Sequence, residues 1–457
     1  MRALISALGL LLGCGGGPGA ALSADLARAG DSLAAPPTSS AERGERPPAI
    51  DGSLESYVAL GLRESPEVRA GFERWRAATL RIGGARTPPD PVLTYAFYAS
   101  PVETRVGPQR HRVSLRQTIP WPTRLSGAAS ARTASALAAQ RTFEARALAV
   151  RARIAEAWWG LWRTRRVSQI LGEQASVLEA LADAVRGRVA VDRATLAEVA
   201  QIELSRARLL DRVASLAAEE RSQQAALRAA VGVDLAACPT TGELPPSGVG
   251  EAEQALREAV RAHPRLLALA RRAEARDAQS AAAEGARFPS LTVGLDWIET
   301  GAAQSPVDGS GRDAVVLSLG VSVPLYQGAI DGVQRAAAAE AAAERAAGRS
   351  AEDAALAALS GELAAVRDAR RRVELHRSTL LPQARAAYES VVGAYTVGRG
   401  SVAATLLAQR DLLELALDLA DAWADHGRAW ARLERVGGRP VARAATAGPA
   451  RTAAGGG

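Results

Sequence analysis

VSLRQTIPWPTRL, residues 113–125, is the segment in which the chain changes from a strand pattern to a helix pattern. Apolar and polar residues alternate up to Ile119, as they do in a strand with one apolar face. Pro120 and Pro122 then interrupt the strand, and a long segment rich in alanine, arginine and glutamate follows. LSLGVSVPLY, residues 317–326, shows the same order of features about two hundred residues later. The sequence therefore predicts the same strand-to-helix junction twice.

Internal similarity extends over both halves of the chain. Three further segments recur in the same order: SPEVRA (65–70) as HPRLLA (263–268), PVLTY (91–95) as PSLTV (289–293), and VAVDRAT (189–195) as YTVGRGS (395–401). A shared order at a nearly constant spacing indicates a tandem duplication of about two hundred residues. We therefore predict a first repeat over 50–238, a linker over 239–250, a second repeat over 251–438 and a disordered tail over 439–457.

The composition limits the class of protein. Hydrophobic residues make up 48% of the 457 residues, which excludes a wholly disordered chain, but only 4% of the residues are aromatic and many are alanine. This balance favours closely packed long helices over one large globular core. The formal net charge of +7 comes from arginine without any lysine, and arginine alternates with acidic residues instead of forming a basic block. We therefore predict solvated helix faces and no nucleic-acid partner.

The N-terminus has the pattern of a bacterial targeting segment. Arg2 precedes an apolar run over 3–12, which fits a short secretory signal. LLGC, residues 11–14, resembles the lipobox of bacterial lipoproteins, which implies a lipid on Cys14 after cleavage; ordinary cleavage near Ala24 is the alternative. Residues 1–14 are thus predicted to be a signal peptide with a lipobox. Residues 15–49, rich in Gly, Pro, Ala and Ser, are predicted to be a flexible tether.

Each half contains two strand-like segments. In the first half, apolar residues alternate around Leu93 and Leu115 on either side of a turn-rich loop, PVETRVGPQ (101–109); in the second they alternate around Val293 and Leu319. Each segment has about nine residues, enough for a tilted strand to cross a bilayer. Transmembrane strands must close into a barrel of at least about eight, so four strands per chain would require a barrel shared between two or three copies. Soluble hairpins packed on helices explain the alternation equally well.

Long helical hairpins follow the strands. Proline is absent from 124–189, so this segment could form a helix of roughly 100 Å. The matching segment, 330–395, contains Pro382, where we expect a kink. Short breaks at 191–193 and 397–400 turn each helix back into an amphipathic partner. We predict that Gly232 and Gly437 close the two returning helices as their C-terminal stops.

Two repeats of helix, two strands, proline and long helical hairpin resemble the TolC family of outer-membrane efflux proteins over residues 54–438. The most specific segments are RVGPQRHRVSLRQTIPWP (105–122), VSVPLYQG (321–328) and YTVGRGSVAATLLAQR (395–410). The first of these is similar to the branch associated with heavy-metal cation efflux. The resemblance implies an α+β membrane protein: a homotrimer with a shared 12-stranded β-barrel, four strands per chain, in the bacterial outer membrane, and long antiparallel helical hairpins that form an α-barrel in the periplasm.

The resemblance also implies partners and a function. A periplasmic adaptor, a membrane fusion protein, would dock on the inner end of the channel, and an inner-membrane transporter would deliver the substrate. The protein would be a passive exit duct of a tripartite efflux system, surrounded by outer-membrane lipid. The alternative is a periplasmic, lipid-tethered coiled-coil scaffold that forms no pore. In that case four apolar strand residues would pack on protein instead of facing lipid: Leu93, Leu115, Val293 and Leu319.

By the same resemblance, the two hairpin turns are the periplasmic tips at which the adaptor meets the channel. The tip residues are Asp192, Arg193, Thr195, Gly398, Arg399, Gly400 and Ser401. Ordinary turn chemistry is the alternative explanation for these residues. Many relatives carry acidic gate residues beyond the tips, but Ala404 and Leu407 occupy those positions in the second half. Glu198 in the first half is then the possible gate residue, although an exposed helix glutamate explains it as well.

The sequence contains no enzyme or cofactor motif. The four histidines, His111, His263, His376 and His426, are scattered, and there is neither an HExxH nor a GxSxG motif nor a phosphate-binding glycine loop. We therefore predict no catalysis, no cofactor and no metal site. Trp158, Trp159 and Trp162 lie within a helix and are expected to serve its packing.

Overall fold

The computed structural model describes residues 18–32, 50–241, 248–305 and 307–443. In chain order the helices and strands are α1 (Pro18–Ser32), α2 (Leu54–Glu64), α3 (Pro66–Gly84), β1 (Val92–Thr104), β2 (Gly107–Ile119), α4 (Pro122–Val189), α5 (Leu196–Val231), α6 (Glu253–Arg261), α7 (Pro264–Gly285), β3 (Ser290–Thr300), β4 (Ala314–Ser322), α8 (Gln327–Leu375), α9 (Leu381–Thr396) and α10 (Val402–Gly437). None of the helices in this part of the chain is long and apolar enough to cross a membrane.

The long helices begin and end close to the predicted bounds. α4 runs from Pro122 to Val189, and its proline stands in the first turn, where a missing N–H costs nothing. α5 ends at Val231, and Gly232, with a left-handed φ of 82°, forms the predicted cap. In α10 the prediction is wrong by one residue, because Gly437 is the last helical residue and Gly438, with a φ of 72°, is the cap. Of these two adjacent glycines, only the second takes the left-handed conformation.

An irregular turn marks the position of Pro382. A π-helix, His376–Leu380, lies directly before α9, and Pro382 follows in the first turn of α9. Proline has no N–H to donate, and a wider turn accommodates the missing hydrogen bond. The disturbance expected at Pro382 thus takes the form of a π-turn between α8 and α9.

The four strands form one antiparallel sheet in the order β1-β2-β3-β4. β2 and β3 come from different halves of the chain, and they pair over a continuous register from His111↔Glu299 to Ile119↔Leu291. The predicted duplication therefore produces one sheet and not two separate hairpins. Because the central pair of strands joins the two repeats, neither repeat contains a complete sheet.

The predicted loop over 101–109 is wrong. β1 continues to Thr104 and β2 begins at Gly107, so that a two-residue turn joins them. Thr104 pairs with Gly107, and the Thr104 hydroxyl donates to the Gly107 carbonyl oxygen at 2.7 Å. The pairing shifts register between Phe97 and Val102, which accommodates Pro101 in an edge strand. Turn-forming residues in this segment therefore sit inside an extended, irregular hairpin.

Two compact units divide the chain, and each draws on both repeats. The first is built mainly from Phe72–Thr142 and Arg265–Ser350 and contains the sheet. The second is built mainly from Phe143–Pro264 with residues 50–71 and 351–443. The compact units therefore do not coincide with the predicted repeats, because each unit combines corresponding parts of both.

The core of the second unit is a cluster of tryptophans in the middle of α4. Trp158 and Trp159 are almost fully buried, Trp162 is nearly so, and the Trp159 ring contacts the other two edge to face. Trp423 of α10 belongs to the same cluster. The Trp158 indole N–H donates to the Gly52 carbonyl oxygen at 3.0 Å, so its polar atom is satisfied. The predicted packing role of the helix tryptophans is confirmed.

The terminal and linker predictions are only partly covered by the described residues. α1 occupies part of the predicted flexible tether, because this stretch has a proline at its start and several alanines, which favour helix. The first residues of the predicted disordered tail are also ordered. Arg439 forms a salt bridge with Glu251, and the backbone of Arg443 forms an isolated antiparallel β-bridge with Val249. Cys14 and the proposed signal peptide lie outside the described residues, as do 33–49, 242–247 and 444–457.

Candidate functional site

One face of the sheet is apolar and exposed. Four leucines pair side by side across all four strands: Leu93, Leu115, Leu295 and Leu317. The next row on this face is Tyr95, Val113, Trp297 and Val315. In β4, Leu317 and Leu319 are each 71% exposed. A continuous apolar surface of this kind marks contact with another protein or with lipid.

The two outer strands of the sheet each leave one edge unpaired within the described residues. β1 pairs only with β2, and β4 only with β3. A free strand edge presents a row of N–H and C=O groups, which require hydrogen-bond partners when they leave water. The exposed apolar face and the two free edges together indicate a sheet that is completed by other copies or chains.

The opposite face of the sheet is polar, and its centre is a buried carboxylate. Asp296 of β3 is 3% exposed. Arg112 of β2 donates to Asp296 Oδ1 through Nη2 at 2.8 Å and through Nε at 3.1 Å. The Ser114 hydroxyl donates to the same oxygen, and Arg116 Nη2 lies 3.8 Å from it. Two guanidinium groups and a hydroxyl thus surround one carboxylate.

The alternation along the strands predicted a polar face, but the cluster around Asp296 was not apparent from the sequence. A signal was present, since Arg112, Ser114 and Arg116 alternate along β2 and must share a face. Asp296 is a carboxylate in the middle of β3, directly between the apolar residues Leu295 and Trp297. The missing information was the register between β2 and β3, which places Ser114 directly opposite Asp296.

The turns of the two helical hairpins share one backbone conformation. The N–H of Arg193 donates to the Arg188 carbonyl oxygen at 2.9 Å, and the N–H of Arg399 makes the corresponding bond, also at 2.9 Å. Asp192 and Gly398 occupy matching positions with φ values of 57° and 78°. Aspartate is among the few non-glycine residues found in the left-handed region. The two predicted repeats therefore share this turn, although its left-handed residue differs.

The other predicted tip residues also lie in these turns. Thr195 and Ser401 are the N-caps of α5 and α10, and their hydroxyl oxygens accept the N–H groups of Glu198 (3.3 Å) and Ala404 (3.2 Å). Gly400 closes the second turn, where a Cβ would lie 2.8 Å from the Tyr395 nitrogen. Each of these residues thus has a role in turn geometry, and their contact with an adaptor stays a prediction.

Glu198, the possible gate residue, belongs to a capping box. Its carboxylate accepts the backbone N–H of Thr195 at 2.8 Å, while its own N–H donates to the Thr195 hydroxyl oxygen. This reciprocal pair satisfies two N–H groups at the start of α5. The contact accounts for a glutamate at this position, and the gate role stays a prediction.

Arg188, which sequence reasoning missed, joins the two turns. Its Nη1 and Nη2 donate to the carbonyl oxygens of Tyr395 at 2.9 Å and Thr396 at 2.8 Å. Its guanidinium carbon lies 4.6 Å from the centre of the Tyr395 ring. Both carbonyls lie in the last turn of α9, at the negative end of the helix dipole, so a cation is favoured there. The only signal in the sequence was a basic residue in the last turn of α4.

Ion pairs join neighbouring helices within the second unit. Arg163 of α4 holds Asp421 of α10 with two hydrogen bonds, of 2.7 and 3.0 Å. The hydrogen bond to Asp421 raises the pKa of Arg163, whereas burial lowers the pKa of Arg428. Within the described residues, no group of three histidine, cysteine or acidic side chains is arranged to hold a metal ion.

Comparison with known sequences identifies related proteins. Residues 255–439 match a family model described as outer membrane efflux protein. Over 366 residues the chain is 30% identical to the protein CyaE of Bordetella pertussis, and the match covers 72% of each protein.

Comparison with solved structures shows a shared fold. The outer membrane protein VceC of Vibrio cholerae has a TM-score of 0.69 at 19% identity, covering 85% of this chain and 96% of VceC. CusC, whose structure concerns transmembrane channel formation, has a TM-score of 0.71 at 13% identity, covering 85% and 93%. The MtrE outer membrane channel of Neisseria gonorrhoeae has a TM-score of 0.66 at 17% identity, covering 84% and 89%.

Proposed function

This chain belongs to the outer membrane efflux protein family, and from that premise we propose that three copies close their sheets into one barrel and form the exit duct of a tripartite efflux system. As a member of the family, the protein is an efflux channel of the outer membrane. The shared barrel, the partner proteins and the residues that contact them are our proposal.

The observation that carries the proposal is the two-faced sheet. Its apolar face is exposed at Leu93, Leu115 and Leu319, so the other described parts of the chain leave much of these side chains uncovered. The scaffold alternative requires these side chains to pack on protein and is therefore not favoured. Along each strand of a transmembrane barrel, apolar residues that face lipid alternate with polar residues that face the lumen. The rows of this sheet show the same alternation.

The free edges support the sharing of one barrel between copies. A sheet of four strands is too small to close on itself, since the smallest transmembrane barrels have about eight strands. Three copies would pair β4 of each chain with β1 of the next and contribute four strands each, which gives a 12-stranded barrel. Such closure satisfies both edges and removes the aggregation risk of open strands. The number three follows from the TolC-family resemblance.

The hairpin turns are proposed to receive a periplasmic adaptor, which links the duct to an inner-membrane transporter. In addition to the predicted tip residues, apolar side chains next to the turns are well exposed, namely Val191, Leu196, Val397 and Leu407. Exposed apolar groups at a rigid turn suit the docking of another helical hairpin. Arg188 would keep the two turns in a fixed arrangement for that contact.

The finer assignments remain predictions of the sequence. They are lipidation of Cys14, a gate at Glu198 and membership of the heavy-metal branch. Asp192 and Arg399 are exposed in the turns and suit contact with a partner, but turn geometry explains their positions as well.

Single-channel recording tests the proposal. The full-length protein is extracted in detergent, its mass is measured by light scattering, and the same preparation is added to planar bilayers. We expect trimers that open in discrete conductance steps, because three sheets are needed to enclose a lumen. Monomers or dimers without conductance would overturn the shared barrel and favour the scaffold.

A further inference from the structure

The polar face of the sheet, which lines the channel in the proposed function, carries more positive than negative charge. β4 has no charged residue between Ala314 and Ser322. In the regularly paired part of the sheet, Arg112 and Arg116 of β2 share this face with one acidic residue, Asp296 of β3. In this part of the sheet, each chain therefore presents one more guanidinium than carboxylate to the lumen.

The neighbouring acidic residue does not balance this charge. Glu299 of β3 lies in the row that pairs with His111, on the apolar face of the sheet. Its carboxylate lies 3.6 Å from His111 Nε2, and the Tyr95 hydroxyl lies 2.7 Å from Nδ1 of the same histidine. Glu299 thus lies on the apolar face, and the sheet separates its negative charge from the lumen.

The two arginines of the polar face are not equivalent. Arg112 makes two hydrogen bonds to Asp296, and its side chain is 36% exposed. Arg116 has no hydrogen bond to that carboxylate but lies 3.8 Å from it, and its side chain is 50% exposed. Because the Asp296 carboxylate is shared and closer to Arg112, the charge that remains uncompensated belongs mainly to Arg116.

We propose that Arg116 gives the channel a preference for anions. In the trimer, three copies of Arg116 form a ring at one level of the lumen, and rings of arginine or lysine favour anions in pores. The low-dielectric wall of the barrel concentrates the field of such a ring. The inference rests on the proposed function, since it requires the polar face to line water.

Reversal potentials measured across a potassium chloride gradient test the inference on the full-length trimer. We expect the wild-type channel to pass chloride more readily than potassium. Arg116→Gln should bring the permeability ratio close to one, whereas Arg116→Lys should keep the anion preference because the charge stays. Glu299→Gln is the matched control, since it removes a charge from the same sheet but from the opposite face, and it should leave the ratio unchanged.

Two sets of results would overturn the inference. One is a wild-type channel that shows no preference for chloride over potassium. This measurement does not depend on whether any variant folds. The other is a permeability ratio that stays unchanged in Arg116→Gln trimers of correct mass, or an anion preference that Glu299→Gln reduces as much as Arg116→Gln does. A trimer that never conducts would instead overturn the proposed duct itself, so the two failures are distinguishable.

Discussion

At the scale of single residues, the contact of Gly427 with Trp159 shows how closely α10 approaches α4. A Cβ on residue 427 would lie 1.9 Å from Cε2 of the Trp159 ring, which is buried among other tryptophans. Gly427→Ala should therefore lower the free energy of unfolding by about 1–3 kcal/mol through overpacking. Thermal unfolding in detergent, followed by tryptophan fluorescence, would measure the loss.

Gly361 in α8 provides the control for this substitution. A Cβ there meets nothing within 4 Å, so Gly361→Ala should leave stability unchanged or raise it by up to about 1 kcal/mol through helix propensity. If both substitutions lowered the melting temperature equally, the close approach of the two helices at Trp159 would be disproved.

At the scale of an element, β4 contains neighbouring residues that face different surroundings. Leu319 belongs to the exposed apolar face and Gly320 to the polar face, where it pairs with Thr292. An arginine on the lipid side of a barrel costs about 2–4 kcal/mol near the middle of the bilayer, whereas an arginine in a lumen meets water. Leu319→Arg should thus sharply reduce the amount of trimer recovered from the outer membrane, and Gly320→Arg should reduce it little. Equal recovery of the two variants would argue against a lipid-facing sheet.

At the scale of the whole molecule, the two repeats depend on each other. β2 pairs with β3 along nine consecutive register positions, from His111↔Glu299 to Ile119↔Leu291, and the helical core combines Trp158 with Trp423. Residues 50–241 and 248–443 expressed separately should each fail to unfold cooperatively, because each lacks half of its sheet and core. Expressed together, they should co-purify and regain a cooperative transition by circular dichroism. A cooperative transition in either half alone would contradict this dependence.

Local patterns in the sequence were sufficient to predict the long helices, four strands, the duplication and both hairpin turns, because helix and strand periodicity and turn chemistry depend on neighbouring residues. The resemblance carried by the strand-to-helix junction identified the family.

Pairing between distant segments was not predictable in this way. The order that places β2 beside β3, the Arg112–Asp296 contact and the link from Arg188 to Tyr395 join residues far apart in the chain. Such contacts depend on register and packing across the two repeats, which exist only once the chain has folded.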